Sequence, residues 1–156
     1  MRTALLAALA VGFPAAASTQ AALPNLSGTW VLQVDKSDFG PMAPVTSRTD
    51  VIQHQEPKLL IKRTIASSAG ETTSDLVYAV DGKPYKNTVS DTELTSTLNW
   101  DGAVLVMVST ASVPQGDVTI TDRYTLSADG KTLTQDRTLS IQGQQLVQKM
   151  VLQKQP

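Results

Sequence analysis

The stretch Thr121–Ile141, TDRYTLSADGKTLTQDRTLSI, decides the fold. Two alternating runs flank Asp129-Gly130, a pair that tolerates the positive φ of a two-residue hairpin loop. With that turn, Ala128 faces Lys131, Leu126 faces Leu133, Ile120 faces Leu139 and Val118 faces Ile141. A slip of one residue would set leucine against threonine, so the register is specified by the apolar pairs. The same register puts Asp122 opposite Arg137 and Tyr124 opposite Gln135 on the apolar face, while Arg123 and Asp136 pair on the other face among threonines. An outer pair of this kind is solvated and contributes less than about 1 kcal/mol. An enclosed pair is costly to desolvate and calls for a reason.

Working outward, a second turn at Gln142-Gly143 sets Leu139 against Leu146, Arg137 against Gln148, Gln135 against Met150 and Leu133 against Leu152. The interior then holds a polar cluster of Asp122, Tyr124, Gln135, Arg137 and Gln148 inside an aliphatic wall. A hairpin across Asp101-Gly102 adds Leu94, Leu98, Trp100, Leu105 and Met107 to that wall, and Tyr78 is expected to pair with Tyr85 across Asp81-Gly82. From Ser27 onward, β-branched and apolar runs alternate with turn residues at roughly ten-residue intervals. Strands are predicted near 27–34, 48–54, 58–66, 72–80, 84–90, 92–100, 103–111, 117–126, 132–141 and 144–153. The expectation is an all-β, antiparallel up-and-down meander closed into a barrel of about eight to ten strands, since closure removes exposed edges. A sandwich is the alternative. The segment Asp35–Ser47, with two prolines and a glycine, is the long loop at one rim.

The N-terminus reads differently. Arg2, the apolar run Ala4–Phe13 and the small residues Pro14–Ala17 form a secretory signal peptide over 1–17, with cleavage after Ala21 as second choice. The run is broken by Gly12 and Pro14, too short for the roughly 20 apolar residues of a membrane helix. One domain is expected over 24–156, located in the periplasm or secreted. There is no cysteine, so no disulfide, thiol chemistry or lipoprotein anchor is available. The formal net charge is −1, and loss of Arg2 makes it −2. Such a chain carries no basic field for nucleic acid or anionic lipid.

Gly28-Thr29-Trp30 on the first strand, Thr121-Asp122 with Tyr124, and Arg137 later resemble the lipocalins and the wider calycin group in their order. The resemblance implies a barrel in which Trp30 plugs one end, Arg137 packs over it as a cation–π partner, and Asp122 fixes the local structure. The opening LSGTWVLQVDKSDFG is also similar to the start of fatty-acid-binding proteins, which have ten strands, and of avidins. With the later DGKTLT it resembles a set of exported bacterial β-proteins. The chain departs from the lipocalins in ending with its last strand, without a C-terminal helix, and in carrying Thr-Asp inside a strand. It departs from the fatty-acid-binding proteins in lacking a helical lid at Asp35–Ser47.

Two functions follow. The first is binding of a small apolar or amphipathic molecule inside the barrel, with Tyr124, Gln135, Arg137, Gln148 and Met107 as ligand contacts. The second is an envelope or interaction protein with a filled interior, recognising partners through rim loops such as Asp35–Ser47 and Val113–Gly116. Interior volume discriminates them. Arg137 serves either closure, with Trp30 and Asp122, or a ligand's polar head. No enzyme is expected: the only histidine, His54, reads as an exposed strand residue, and no serine lies in a Gly-x-Ser-x-Gly elbow. Asp35 and Asp38 lack the further ligands of a calcium loop, so neither metal nor cofactor is expected.

Overall fold

In the computed structural model, residues 22–156 are described. The predicted signal segment and both cleavage points lie outside them. The chain forms ten antiparallel strands, β1 (Gly28–Leu32), β2 (Ser47–Gln55), β3 (Lys58–Ser67), β4 (Gly70–Ala79), β5 (Tyr85–Val89), β6 (Thr92–Asp101), β7 (Val104–Val113), β8 (Gly116–Leu126), β9 (Thr132–Ile141) and β10 (Gln144–Lys154). A single 3-10 turn, Val34–Lys36, follows β1, and no α-helix occurs among the described residues. β1 pairs with both β2 and β10, so the meander closes on itself. The architecture is the expected all-β, antiparallel up-and-down barrel: all ten strands belong to one sheet rather than to the two of a sandwich.

Local register accounts for most of this. Leu126↔Leu133, Tyr124↔Gln135, Asp122↔Arg137 and Ile120↔Leu139 pair as the apolar matching requires, and Gln142-Gly143 makes a two-residue turn with φ of 49° and 78°. Three turns differ from expectation. Residues Ala128–Lys131 form a four-residue loop in which Gly130 N–H bonds to Ser127 C=O (2.9 Å), so Ala128 and Lys131 leave the ladder without changing its register. Asp101 pairs with Val104, which moves the β6–β7 turn to Gly102-Ala103 but keeps the same residues on the inner face. Val113 pairs with Gly116, so that expected rim loop is a tight turn.

The hairpin expected across Asp81-Gly82 does not form. β4 and β5 are the one neighbouring pair without a backbone ladder, and Tyr78 and Tyr85 are not partners. Tyr78 points into the core, whereas the Tyr85 hydroxyl donates to Asp81 Oδ2 (3.0 Å). A side chain bridges the seam instead: Asn87 Oδ1 accepts from Val77 N–H (2.8 Å) and its Nδ2 donates to Val77 C=O (3.1 Å). One carboxamide thus satisfies both backbone groups of Val77, which is paired with Leu60 on β3 but has no strand partner across the seam.

The interior has two zones. One end is filled by Trp30, Leu59, Leu98, Leu105, Leu133 and Leu152, all at most 1% exposed, with Leu26 seated beside them. The other end is crossed by the expected long loop. After β1 the chain runs on along β10 through reciprocal Asp38–Lys149 backbone bonds (2.7 and 2.8 Å), then crosses to β3, where Thr46 N–H reaches Ala66 C=O (2.8 Å). Gly40 makes the crossing possible, because at φ 57° a Cβ would stand 2.6 Å from Val147 C=O.

Candidate functional site

Between the two zones lies a belt of buried charge. Alternation along β2 turns Arg48, Asp50, Ile52 and His54 inward and leaves Val51 on the surface. On β3, Arg63 faces inward and is the cross-strand partner of Asp50. Asp50 Oδ1 accepts from Arg48 Nε (3.0 Å) and Arg63 Nε (2.9 Å), and Oδ2 from Arg48 Nη2 (2.5 Å) and Arg63 Nη2 (2.9 Å). Arg48 Nη1 continues to Gln135 Oε1 (2.7 Å), and Gln135 Nε2 donates to Asp122 Oδ1 (2.8 Å). Arg137 closes the row with Nε to Asp122 Oδ1 (2.7 Å) and Nη2 to Oδ2 (3.0 Å).

Both carboxylates are 1% exposed, and burial alone would raise their pKa values. Around Asp50 that effect is outweighed by Arg48 and Arg63, and around Asp122 by Arg137, so both carboxyls are held below the usual range and stay ionised. Arg63 and Arg137 titrate above their ordinary value for the same reason: burial disfavours their charge, but the Asp50 carboxylate beside Arg63 and Asp122 beside Arg137 outweigh it. Burial pushes the Tyr78 hydroxyl up to about 12 and also raises Tyr124, where the charge of Asp122 adds to the effect.

Above the belt and beneath the crossing loop lies an interior cavity of about 230 Å³. Phe39, Met42 and Val45 of the loop form its roof, Ile65, Leu76 and Ile120 part of its wall, and Arg48, Arg63, Asp122 and Arg137 its charged floor. Of the residues expected to meet a ligand, Arg137, Gln148 and Met107 line this cavity. Gln135 and Tyr124 do not. Gln135 is wholly buried as a link of the belt. Tyr124 borders a void of about 10 Å³ at the packed end, while its buried hydroxyl lies among the charges of the belt with no hydrogen-bond partner among the described residues. Arg48, Asp50 and Arg63 were absent from the expected set, although the match of Asp50 with Arg63 in the 47–67 hairpin was a readable signal.

Trp30 is completely buried, with Nε1 donating to Leu26 C=O (2.9 Å). The cation over its ring is Lys154, 5.4 Å from the centroid, and not Arg137, which is committed to Asp122. The reason is strand order: β10 sits directly beside β1 and carries Lys154 opposite Trp30. His54 is also corrected, being 3% exposed on the inner face of β2. No three His, Cys, Asp or Glu side chains among the described residues are grouped to hold a metal ion. A larger hollow of about 670 Å³ near the β5–β6 and β7–β8 turns is open and lined by hydroxyls and carboxylates such as Thr95, Thr110 and Asp117. It lies apart from the cationic cluster.

No protein-family model matches the chain, and no curated protein matches it in sequence. Solved structures do match in fold. An abundant heat-soluble (SAHS) protein from Ramazzottius varieornatus shares 15% identity at a TM-score of 0.59, covering 83% of this chain and 94% of that one. Zebrafish ileal bile acid-binding protein, solved with cholic acid, shares 14% at 0.57 over 83% and 98%. Human cRBP IV shares 17% at 0.53 over 85% and 99%. At these identities the likeness is one of fold.

Proposed function

We propose that this chain is an exported binding protein that holds a small amphipathic molecule with a single negative charge in the cavity above the belt. The charge balance carries the reading. Three arginines and two aspartates meet in the belt, leaving one positive charge uncompensated inside the barrel. An enclosed charge without a counter-charge is costly, and a bound anion would offset it. Arg137 Nη1 forms no hydrogen bond among the described residues, and the Arg63 and Arg137 side chains both line the cavity. Gln148, beside Arg137 on the neighbouring strand, adds a polar contact, and Met107 belongs to the apolar wall. The fold neighbour from zebrafish, a bile acid-binding protein solved with cholic acid, supports the same kind of use. Binding rather than catalysis is therefore the reading, with Trp30, Asp122 and the Asp122–Arg137 pair holding the barrel's interior in shape.

Size narrows the ligand. At roughly 30 Å³ for each water-sized group, the cavity takes about eight non-hydrogen atoms. Calorimetric titration with hexanoate and with hexanol tests the reading: hexanoate binds and hexanol is at least about tenfold weaker, the ratio expected where one charge-assisted contact is lost. Equal affinity for the two would overturn the anionic head. The cavity is smaller than the roughly 300 Å³ at which small-molecule pockets begin. That favours, as second reading, an interaction protein with a filled interior, for which neither probe would bind. Export rests on Arg2 and Ala4–Phe13; intact mass of the exported protein should show a mature chain starting at Ser18 or Ala22.

A further inference from the structure

His54, at the packed end, is held in one tautomer by its hydrogen-bond partners. Its Nδ1 accepts from the backbone N–H of Leu26 (3.2 Å). A backbone amide can only donate, so Nδ1 carries no proton while that bond exists. The second ring nitrogen, Nε2, lies 2.9 Å from Glu56 Oε1 and is therefore the protonated one. Leu26 is the seat of the arm that precedes β1: its side chain is 2% exposed against Ile52, Leu59 and Leu105, and its C=O receives Trp30 Nε1.

We propose that His54 is an acid-released latch for the N-terminal arm over residues 22–27. A second ring proton would set Nδ1–H against Leu26 N–H, two donors with no acceptor between them. The ring itself would stay, because Glu56 gains a charge-assisted bond and the Trp100 ring, 6.0 Å away, faces a cation. Glu56 is further fixed by Trp100 Nε1 (2.7 Å). Glu56 and Trp100 thus face the ring on one side, and the Leu26 amide faces it on the other. Lys58, the other charged side chain around the ring, lines the same surface hollow, and the arm itself contributes only uncharged Asn25 and Ser27 there. Ser27 Oγ bonds to the backbone of His54 on both sides (2.9 and 3.1 Å) and Trp30 Nε1 holds the Leu26 C=O, so the arm stays tethered when the Leu26 amide lets go. The loss is local, at the packed end and away from the cavity.

Hydrogen-exchange protection of the Leu26 amide, followed by NMR from about pH 8 to pH 5, the interval in which histidines titrate, tests the latch. Protection should fall about tenfold, the worth of one hydrogen bond, while amides of the β8–β9 ladder keep theirs. His54→Gln, which can accept from Leu26 and donate to Glu56 without titrating, should hold Leu26 protected throughout. Glu56→Gln keeps the histidine and removes the charge that favours imidazolium, so release should move to lower pH. Unchanged protection in the wild type, loss across the whole barrel at once, or the same pH dependence in His54→Gln would each overturn the proposal.

Discussion

Asp50 and Asp122 are equally buried, yet they are held differently. Asp50 is gripped by two arginines, each through two nitrogens, from its own strand and the next. Asp122 has one arginine and the amide of Gln135, and its Arg137 side chain keeps 22% exposure. The Asp50 end carries more cation than its carboxylate can neutralise; the Asp122 end is balanced. Burial alone therefore says little about the role of a charge. The excess positive charge arises on β2 and β3, and the belt connects it, through Gln135, to the arginine that lines the cavity from β9.

Removing Asp50 should have the largest effect. Asp50→Leu leaves Arg48 and Arg63 enclosed without an anion, and the loss should reach or exceed about 3–5 kcal/mol in urea denaturation. Arg137→Met should cost less, about 3 kcal/mol, since Asp122 keeps Gln135 and some access to the cavity. Adding Asp122→Leu to it should recover much of that loss; a double variant no better than the single would mean that the pair is not an enclosed unit. A ranking in which Arg137→Met exceeds Asp50→Leu would reverse the comparison.

Acid should act on both ends in the same direction. The two carboxyls titrate lower in the folded chain than their unfolded value near 3.9. Their contribution is therefore complete above roughly pH 5 and is lost as pH falls below about 4 toward the folded values. Stability measured at pH 6, 4 and 3 should decline across the last interval, and the Arg137→Met, Asp122→Leu double variant should show a shallower decline. Smallest of all, Lys154→Gln should cost about 0.5–1 kcal/mol, the worth of an exposed cation–π contact. Arg137→Met should leave Trp30 fluorescence unmoved, since its ring faces Lys154.

The β8–β10 part of the site was legible because its charged residues sit in hairpins whose apolar pairs admit one register. Asp122↔Arg137↔Gln148 follows from Leu126↔Leu133 and Leu133↔Leu152 by counting. The β2 part was not legible in the same way. Its inward face reads Arg48, Asp50, Ile52, His54, while the apolar Val51 lies outside at 40% exposure. A strand with charges inside defeats a reading that assigns the apolar face to the core. The seam between β4 and β5 was missed for another reason: Asp81-Gly82 has the residues of a hairpin turn, but Gly82 N–H bonds to Leu98 C=O on another strand.

By itself the sequence determined what is short-range: strand alternation, most turns, and the pairing of neighbouring strands, because each depends on residues a few positions apart across a loop. Closure decided the rest. Only when β1 fits between β2 and β10 does Arg48 reach Gln135, 87 residues away, and only then do two separate ion clusters become one belt with a net positive charge. The same closure places Lys154 over Trp30 and turns the Phe39–Val45 crossing into a roof. Contacts of that range are set by the three-dimensional order of the strands, which no local period in the chain encodes.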